Sequence, residues 1–295
     1  MRCASPAGRS RTLPEAPVSV AGLIEAAAER LRAVRIPKPR REAHRLWAAA
    51  SRLPAGMAYL HRDRDTDQAV ARGFEDMIAR RLSGEPMPYV IGETGFRHLT
   101  LAVDRRALIP RPESEGIIDH ALERVRSGRA VDLGTGTGCL ALALRQEGAF
   151  DLVIGVDRSA EALALATENR LRSGLGVELV RGDLAAPLTG SGFDLLVSNP
   201  PYLTDAEYEA LDSSVRDWEP ALALASGADG MNASRRILAE GGRLLRPGGW
   251  LVMELDSSRA PAGAAVAVEA GWDQVHVWND LFGRARYLTA RRGYA

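Results

Sequence analysis

Apolar positions recur at helical spacing in the first third of the chain and bunch into short strand-like runs in the rest. Val20, Leu23, Ile24, Ala27 and Leu31 share one helical face, as do Val70, Phe74, Met77, Ile78 and Leu82. Steps of three and four build a stripe that has to be buried, so helices are predicted over 18–34, 38–51 and 65–82. Ser83-Gly84-Glu85-Pro86 closes the third, glycine then proline acting as a stop. Runs at 89–91 and 99–103, around Gly92 and Gly95, predict a hairpin. A helix over 113–126 then opens an alternating region. Its strand-like runs lie at 130–133, 152–157, 177–184, 193–198, 250–255, 274–278 and 286–290. Helices are predicted from 139 and over 160–173, 232–245 and 261–270, with a long loop from 199 to about 228. Gly241-Gly242 costs a helix about 2 kcal/mol and marks a kink or break. Strands alternating with helices mean a mainly parallel α/β sheet, and the closing pair of strands an antiparallel edge.

Composition narrows the class. A chain of 295 residues suits one large or two modest domains. No apolar stretch approaches the roughly 18 residues of a membrane span. The first 18 residues lack the apolar centre of a signal peptide and read as a loose extension, so the expected compartment is the cytoplasm. Cys3 and Cys139 cannot make a disulfide framework, and the five histidines lack metal-ligand spacing, so no metal is expected. Residues 1–85 carry 16 Lys/Arg against 10 Asp/Glu, and the remainder 22 against 28. A mildly basic segment beside an acidic body suits a partner carried on RNA-rich machinery, and equally a solvated helical surface.

Candidate chemistry sits in the second region. The run 130–133 leads into Gly134-Thr135-Gly136-Thr137-Gly138 and then a helical stretch. A strand, a glycine loop and a helix open a nucleotide-type α/β fold, and glycines let backbone pass against a ligand with no Cβ in the way. A dinucleotide fingerprint would need glycine where Cys139 stands. Sixty-one residues after Gly138, Asn199-Pro200-Pro201-Tyr202 ends the apolar run 193–198. Two prolines stop a strand, and the residue before them is pushed to extended geometry. An amide oxygen, backbone carbonyls and an aromatic face then converge, which suits a planar –NH2 group. The same residues also suit a plain strand-ending turn. Asp157 closes the next strand, where a carboxylate can accept both ribose hydroxyls of an adenosine or cap the following helix. Leu184, after the third strand, is placed to flank an adenine ring; Asp183 suits that contact or a turn.

The G-x-G-x-G spacing resembles the first motif of class I methyltransferases, and Asn-Pro-Pro-Tyr resembles the signature of those that modify an amide or exocyclic amino nitrogen. The run from Arg81 to Gly92 and the segment Ile109-Pro110-Arg111-Pro112-Glu113-Ser114-Glu115 are similar to motifs of the HemK-like protein-(glutamine-N5) methyltransferases. Asp157, Asn199 to Tyr202, Glu219-Pro220 and Asp229-Gly230 follow in family order, and the resemblance runs from about residue 19 to 292. It implies a class I S-adenosylmethionine-dependent methyltransferase fold, Rossmann-like with a seven-stranded mainly parallel sheet, and a small N-terminal helical domain. The implied division is an extension over 1–18, a substrate-recognition domain over 19–85, a hairpin linker over 86–110 and a catalytic domain over 111–295. S-adenosyl-L-methionine would be held by Gly134, Thr135, Gly136, Thr137, Gly138, Asp157, Leu184 and Asn199. The implied substrate is the glutamine of the Gly-Gly-Gln loop of class I peptide chain release factors, bound at Asn199, Pro200, Pro201 and Tyr202. Departures fall at Ser114, Arg97-His98, Leu184 and the stretch Met253-Glu254-Leu255-Asp256.

A glutamine amide nitrogen is a poor nucleophile. Asn199 Oδ1 and the Pro200 carbonyl would accept its two hydrogens, Tyr202 would stack on the amide plane, and direct methyl transfer would need no strong general base. Two rival classes remain: an amino-methyltransferase of nucleic-acid bases, and a binding module on a methyltransferase scaffold. Neutral net charge and the lack of an inserted target-recognition segment between Asp157 and Asn199 argue against direct nucleic-acid binding. The intact motif residues argue against the binding module.

Overall fold

Val20, Ile24, Ala27, Leu31, Phe74 and Ile78 of the two predicted apolar stripes are buried, and around them the computed structural model describes residues 19–54 and 56–294. The extension expected over 1–18, with Cys3 and the first residue of the first predicted helix, lies outside the described residues. Two compact units divide after Ile91.

The first unit is a helical bundle of α1 (Val20–Ala33), α2 (Pro39–Ser51), α3 (Met57–Leu60), α4 (Gln68–Leu82) and α5 (Met87–Ile91). Ile24, Leu31, Leu46, Trp47, Phe74 and Ile78 form its core. Two of its helices, α1 and α4, start where a side chain satisfies free N–H groups. Ser19 Oγ accepts from Gly22 N at 3.2 Å, and Asp67 Oδ1 from Ala69 N and Val70 N at 2.8 and 3.2 Å. The third predicted helix therefore begins after Asp67 and not at residue 65. Residues 89–91, predicted as a strand, instead lie in α5. Met87 and Val90, three apart, both pack into the bundle core, and the Arg80 guanidinium donates to the Tyr89 and Val90 carbonyls at 2.9 and 3.1 Å. Those contacts favour a helical turn over an extended run.

The second unit opens with a hairpin of β1 (Glu93–Phe96) and β2 (Leu99–Ala102), then a 3₁₀ turn at Pro112–Ser114 and α6 (Glu115–Arg124). The expected 86–110 linker is thus shared between the two units. A seven-stranded sheet follows, of β3 (Ser127–Leu133), β4 (Ala149–Asp157), β5 (Glu178–Arg181), β6 (Phe193–Ser198), β7 (Leu245–Glu254), β8 (Trp272–Asn279) and β9 (Ala285–Arg292). Its order is β5-β4-β3-β6-β7-β9-β8, parallel except for the pairings of β9 with β7 and β8. Between the strands run α7 (Cys139–Glu147), α8 (Ala160–Ser173), the short α9 (Asp205–Glu209) and α10 (Ser213–Arg216), then α11 (Asn232–Gly241) and α12 (Ala260–Glu269). Helix α11 stops at the glycine pair, short of the predicted end at 245. Leu244 and Leu245 are buried, and the Leu244 carbonyl accepts from Gly192 N and Phe193 N, so this segment is drawn into the sheet. Strand order reverses between β3 and β6, and a crevice opens there beyond the carboxyl ends of the strands.

Hairpin and sheet are joined by polar side chains. Asn169 of α8, 1% exposed, accepts from Ala102 N at 2.6 Å and donates to the carbonyls of Ala102 and Thr137 at 3.1 and 3.0 Å. Arg97, at the hairpin turn with φ 50°, reaches Glu147 and Asp119, which accounts for the departure at that position.

Candidate active site

A cavity of about 860 Å³ occupies the crevice at the switch between β3 and β6, within the roughly 300–1,000 Å³ of small-molecule sites. Gly134, Thr135, Gly136, Thr137, Asp157, Leu184, Asn199 and Pro201 line it. The glycine loop turns sharply out of β3, with Gly134 and Gly136 at φ 78° and 56°, a region that glycine enters without strain. A Cβ built on either residue meets no atom within 4 Å. This is an open cradle for a ligand. Gly134 N and Thr135 N donate to the Val156 carbonyl at 2.8 and 2.9 Å, fastening the loop to β4. Gly138 caps α7 at the cavity's edge and is not among the lining residues.

Asp157 ends β4 with both carboxylate oxygens engaged: Gly136 N donates to one and Ser159 N to the other, each at 2.9 Å. The cap of α8 is Ser159, whose hydroxyl accepts from Ala162 N. Asp157 is therefore no helix cap. A carboxylate oxygen can accept two hydrogen bonds, so each keeps a further acceptor site beside the cavity. Below the loop, Thr135 Oγ1 donates to the fully buried Asp132 at 2.6 Å, and burial pushes that carboxyl up to about 7. Leu184 lines the cavity at φ 51°, a left-handed conformation that is costly for a branched side chain and is held by packing against the sheet core. Asp183 accepts from Arg236 of α11 at 2.8 Å.

Side chains build the opposite wall. Asn199 follows β6, whose last residue, Ser198, donates its hydroxyl to the Leu133 carbonyl at 2.6 Å and ties the two strand tips together. Asn199 Nδ2 donates to Ser114 Oγ at 2.8 Å, and Ser114 Oγ donates to Glu254 Oε2 at 2.8 Å. Glu254 is 1% exposed; burial raises its pKa, while Ser114 and Arg286, 3.5 Å away, favour the anion. Pro200 is buried and, with Tyr202, is not among the cavity-lining residues. Tyr202 sits behind, where burial and the charge of Glu254 push its hydroxyl up to about 12 and keep it neutral. Gly230, at φ 73°, lies against the Tyr202 carbonyl, where a Cβ would come within 2.3 Å. That contact gives Asp229-Gly230 its structural reason.

Two further segments line the cavity. One is 106–111, which follows the hairpin; the other is 220–227. Buried Glu219 accepts from Ile109 N at 3.1 Å and from Arg111 Nη2 at 2.6 Å, clasping the two together. The hairpin strands are not among the lining residues, nor is Glu113, whose carbonyl accepts from Tyr287. Nothing in the local sequence marks Ser114, Asn169 or Asp132 for these positions. Glu254 did carry a signal: like Asp157, it is a carboxylate closing an apolar strand.

Comparison with known proteins identifies the family. A family model described as Methyltransferase small domain matches residues 114–217, and one described as PrmC N-terminal domain matches residues 22–92. Release factor glutamine methyltransferase from Deinococcus radiodurans is 46% identical over 227 residues, covering 76% of this chain and 80% of its own. That of Nitratidesulfovibrio vulgaris is 41% identical over 278 residues, covering 92% and 94%. The chain belongs to the release factor glutamine methyltransferase family. It is a methyltransferase. A methyltransferase from Pyrococcus furiosus shares the fold of this family member at a TM-score of 0.52 and 21% identity, over 74% of this chain and 99% of that one. The hMettl16 catalytic domain, in complex with MAT2A 3′UTR hairpin 1, also gives 0.52, at 17% identity over 80% and 84%. At such identities the likeness is one of fold alone. Among the described residues no helix is long and apolar enough to cross a membrane.

Proposed function

We propose that this chain transfers a methyl group from S-adenosyl-L-methionine to the side-chain nitrogen of the glutamine in the Gly-Gly-Gln loop of class I peptide chain release factors. The observation that carries the chemistry is the direction of the Asn199 carboxamide. Its nitrogen is committed to Ser114, so Oδ1 is the end left for a ligand in the cavity that Asn199 lines. An acceptor fixed there suits an –NH2 group. The glycine cradle and the remaining acceptor sites of Asp157 fit an adenosine-bearing methyl donor. When bound, S-adenosyl-L-methionine supplies a methyl group on a sulfonium, ready for direct displacement.

The protein's part is placement. Asn199 Oδ1 and the Pro200 carbonyl accept the two amide hydrogens, turn the nitrogen lone pair to the methyl group and stabilise the positive charge that develops on nitrogen. Pro201, which lines the cavity, bears on the amide plane, and Tyr202 supports that wall from behind. Leu184 packs against the adenine, and the Thr135 and Thr137 backbones complete the cofactor wall, with Gly138 turning the chain into α7 behind it. No group in the cavity has to remove a proton before transfer. Residues 19–85 are assigned to recognition of the protein substrate, and the family name shared with the relatives supports the release factor as that substrate.

Incubation with labelled S-adenosyl-L-methionine and either a purified release factor or RNA tests the reading. Mass spectrometry should find one added methyl on the glutamine of the Gly-Gly-Gln loop. Label found only on RNA, or on another protein while the release factor stays unmodified, overturns it.

A further inference from the structure

We propose that Ser114 and Glu254 are positioning residues for methyl transfer, forming a one-way hydrogen-bond relay that turns the Asn199 oxygen to the substrate amide. The inference rests on the reading that Asn199 Oδ1 accepts from that amide. A carboxamide has two ends of nearly equal size, and the wrong one would set an –NH2 group against an –NH2 group. Something has to choose. The Arg286 guanidinium beside Oε1 favours the ionised carboxylate, which only accepts, so Glu254 Oε2 takes the hydrogen of the Ser114 hydroxyl across 2.8 Å. A hydroxyl carries one hydrogen. Ser114 Oγ can then only accept from Asn199, also at 2.8 Å, and that requires Nδ2. Each donor–acceptor assignment fixes the next, and Oδ1 is left for the cavity.

The relay is anchored at its far end. Arg286 of β9 lies 3.5 Å from Glu254 Oε1, and its Nε donates to Asp280 at 2.9 Å. A guanidinium has no acceptor, so it favours an oxygen facing it at Glu254. Ser114, Asn199 and Glu254 come from three places: the 3₁₀ turn before α6, the end of β6 and the end of β7. They are 85 and 140 residues from one another along the relay, so only the fold joins them.

The same logic predicts an unusual pattern among variants. In Glu254→Gln, Arg286 still claims the oxygen, which leaves the new –NH2 facing Ser114. The serine hydroxyl then donates to Asn199, and the carboxamide is held the wrong way round. In Ser114→Ala the carboxamide is merely released. Glu254→Gln should lower kcat roughly 10- to 100-fold, more than Ser114→Ala does, with KM and S-adenosyl-L-methionine affinity changed less than about threefold. The double variant Ser114→Ala, Glu254→Gln should recover to the level of Ser114→Ala, because a reversed relay needs the hydroxyl. Ser114→Thr, which keeps the hydroxyl, should restore turnover lost in Ser114→Ala. A residue serving only packing would give additive losses and no recovery.

Steady-state kinetics on release factor, with thermal melting to check folding and calorimetry for the methyl donor, reads all four variants beside Asn199→Ala. Loss of turnover in Asn199→Ala together with recovery in the double variant supports the relay. A double variant as slow as Glu254→Gln, or Glu254→Gln within about twofold of wild type, overturns the relay and leaves the role of Asn199 standing. Near-normal turnover in Asn199→Ala overturns that role and the relay together. Should Glu254→Gln fail to fold, equal kcat in Ser114→Ala and wild type overturns the relay by itself.

Discussion

One wall of the cavity is backbone and the other is side chain. On the glycine-loop side the cavity is lined by main chain with no Cβ in the way, held by hydrogen bonds to Val156 and Asp157. On the Asn199 side the cavity is bounded by one carboxamide, hydrogen-bonded to a hydroxyl, carboxylate and guanidinium series from distant parts of the chain. A backbone wall tolerates neighbours of many kinds, because its shape comes from φ angles. A side-chain wall depends on the protonation and polarity of each member. The proposed function assigns binding to the first and chemistry to the second, and substitutions should separate the two.

The largest effect is expected beneath the backbone wall and concerns stability. Burial raises the Asp132 carboxyl to about 7. Between its ordinary value near 4 and that value, the folded chain keeps a proton that the unfolded chain has released, so this group's contribution to stability declines as pH rises through the window. Over the whole window the difference is on the order of 4 kcal/mol. Asp132→Asn carries no such proton and should gain on the wild type between pH 4 and 7. Urea unfolding at several pH values checks this, and a constant difference between the two proteins would place the carboxyl outside that linkage.

On the side-chain wall, Asn199→Ala should lower kcat by about 10²–10³-fold, the range for removing one preorganised charge-stabilising group. The fold should persist, and affinity for the methyl donor should fall far less. If affinity falls as steeply as turnover, the division between the walls is wrong.

Asp157→Ala should do the reverse. Losing charge-assisted hydrogen bonds to ribose, and the anchor of Gly136, should weaken methyl-donor binding by about 1.5–3 kcal/mol, with kcat at saturation less affected. Calorimetry decides, and unchanged affinity would remove Asp157 from the site.

The smallest effect is a control in the helical bundle. Asp67→Ala removes the cap of α4 and should cost about 1 kcal/mol of stability in that unit. Kinetics with a short glutamine peptide should not change; a change there would show that activity does not divide as the two walls imply.

The backbone wall was the more legible of the two. Gly134, Gly136, Gly138 and Asp157 lie within one strand–loop–helix–strand segment, so their spacing reports their geometry directly. Strand β6 and α8 were equally clear, because a period of two or of 3.6 is a local property. The errors have local causes too. Residues 89–91 read as strand, but Arg80 and the bundle core stabilise a helical turn there. Helix α11 was drawn too long because Leu244 and Leu245 continue its apolar pattern while the sheet claims them.

The sequence by itself determined the alternation of strands and long helices in the second unit, the glycine turn, the acid at the tip of β4 and the presence of Asn199 before two prolines. Each of these follows from backbone sterics or from periodicity over a few residues. Tertiary structure alone decided which way the Asn199 carboxamide points, why Ser114 and Glu254 matter and how Asn169 joins the hairpin to the glycine loop. Those outcomes depend on hydrogen bonds between residues 32 to 140 apart in the chain, and a donor's choice of acceptor across that distance exists only once the sheet has brought them together.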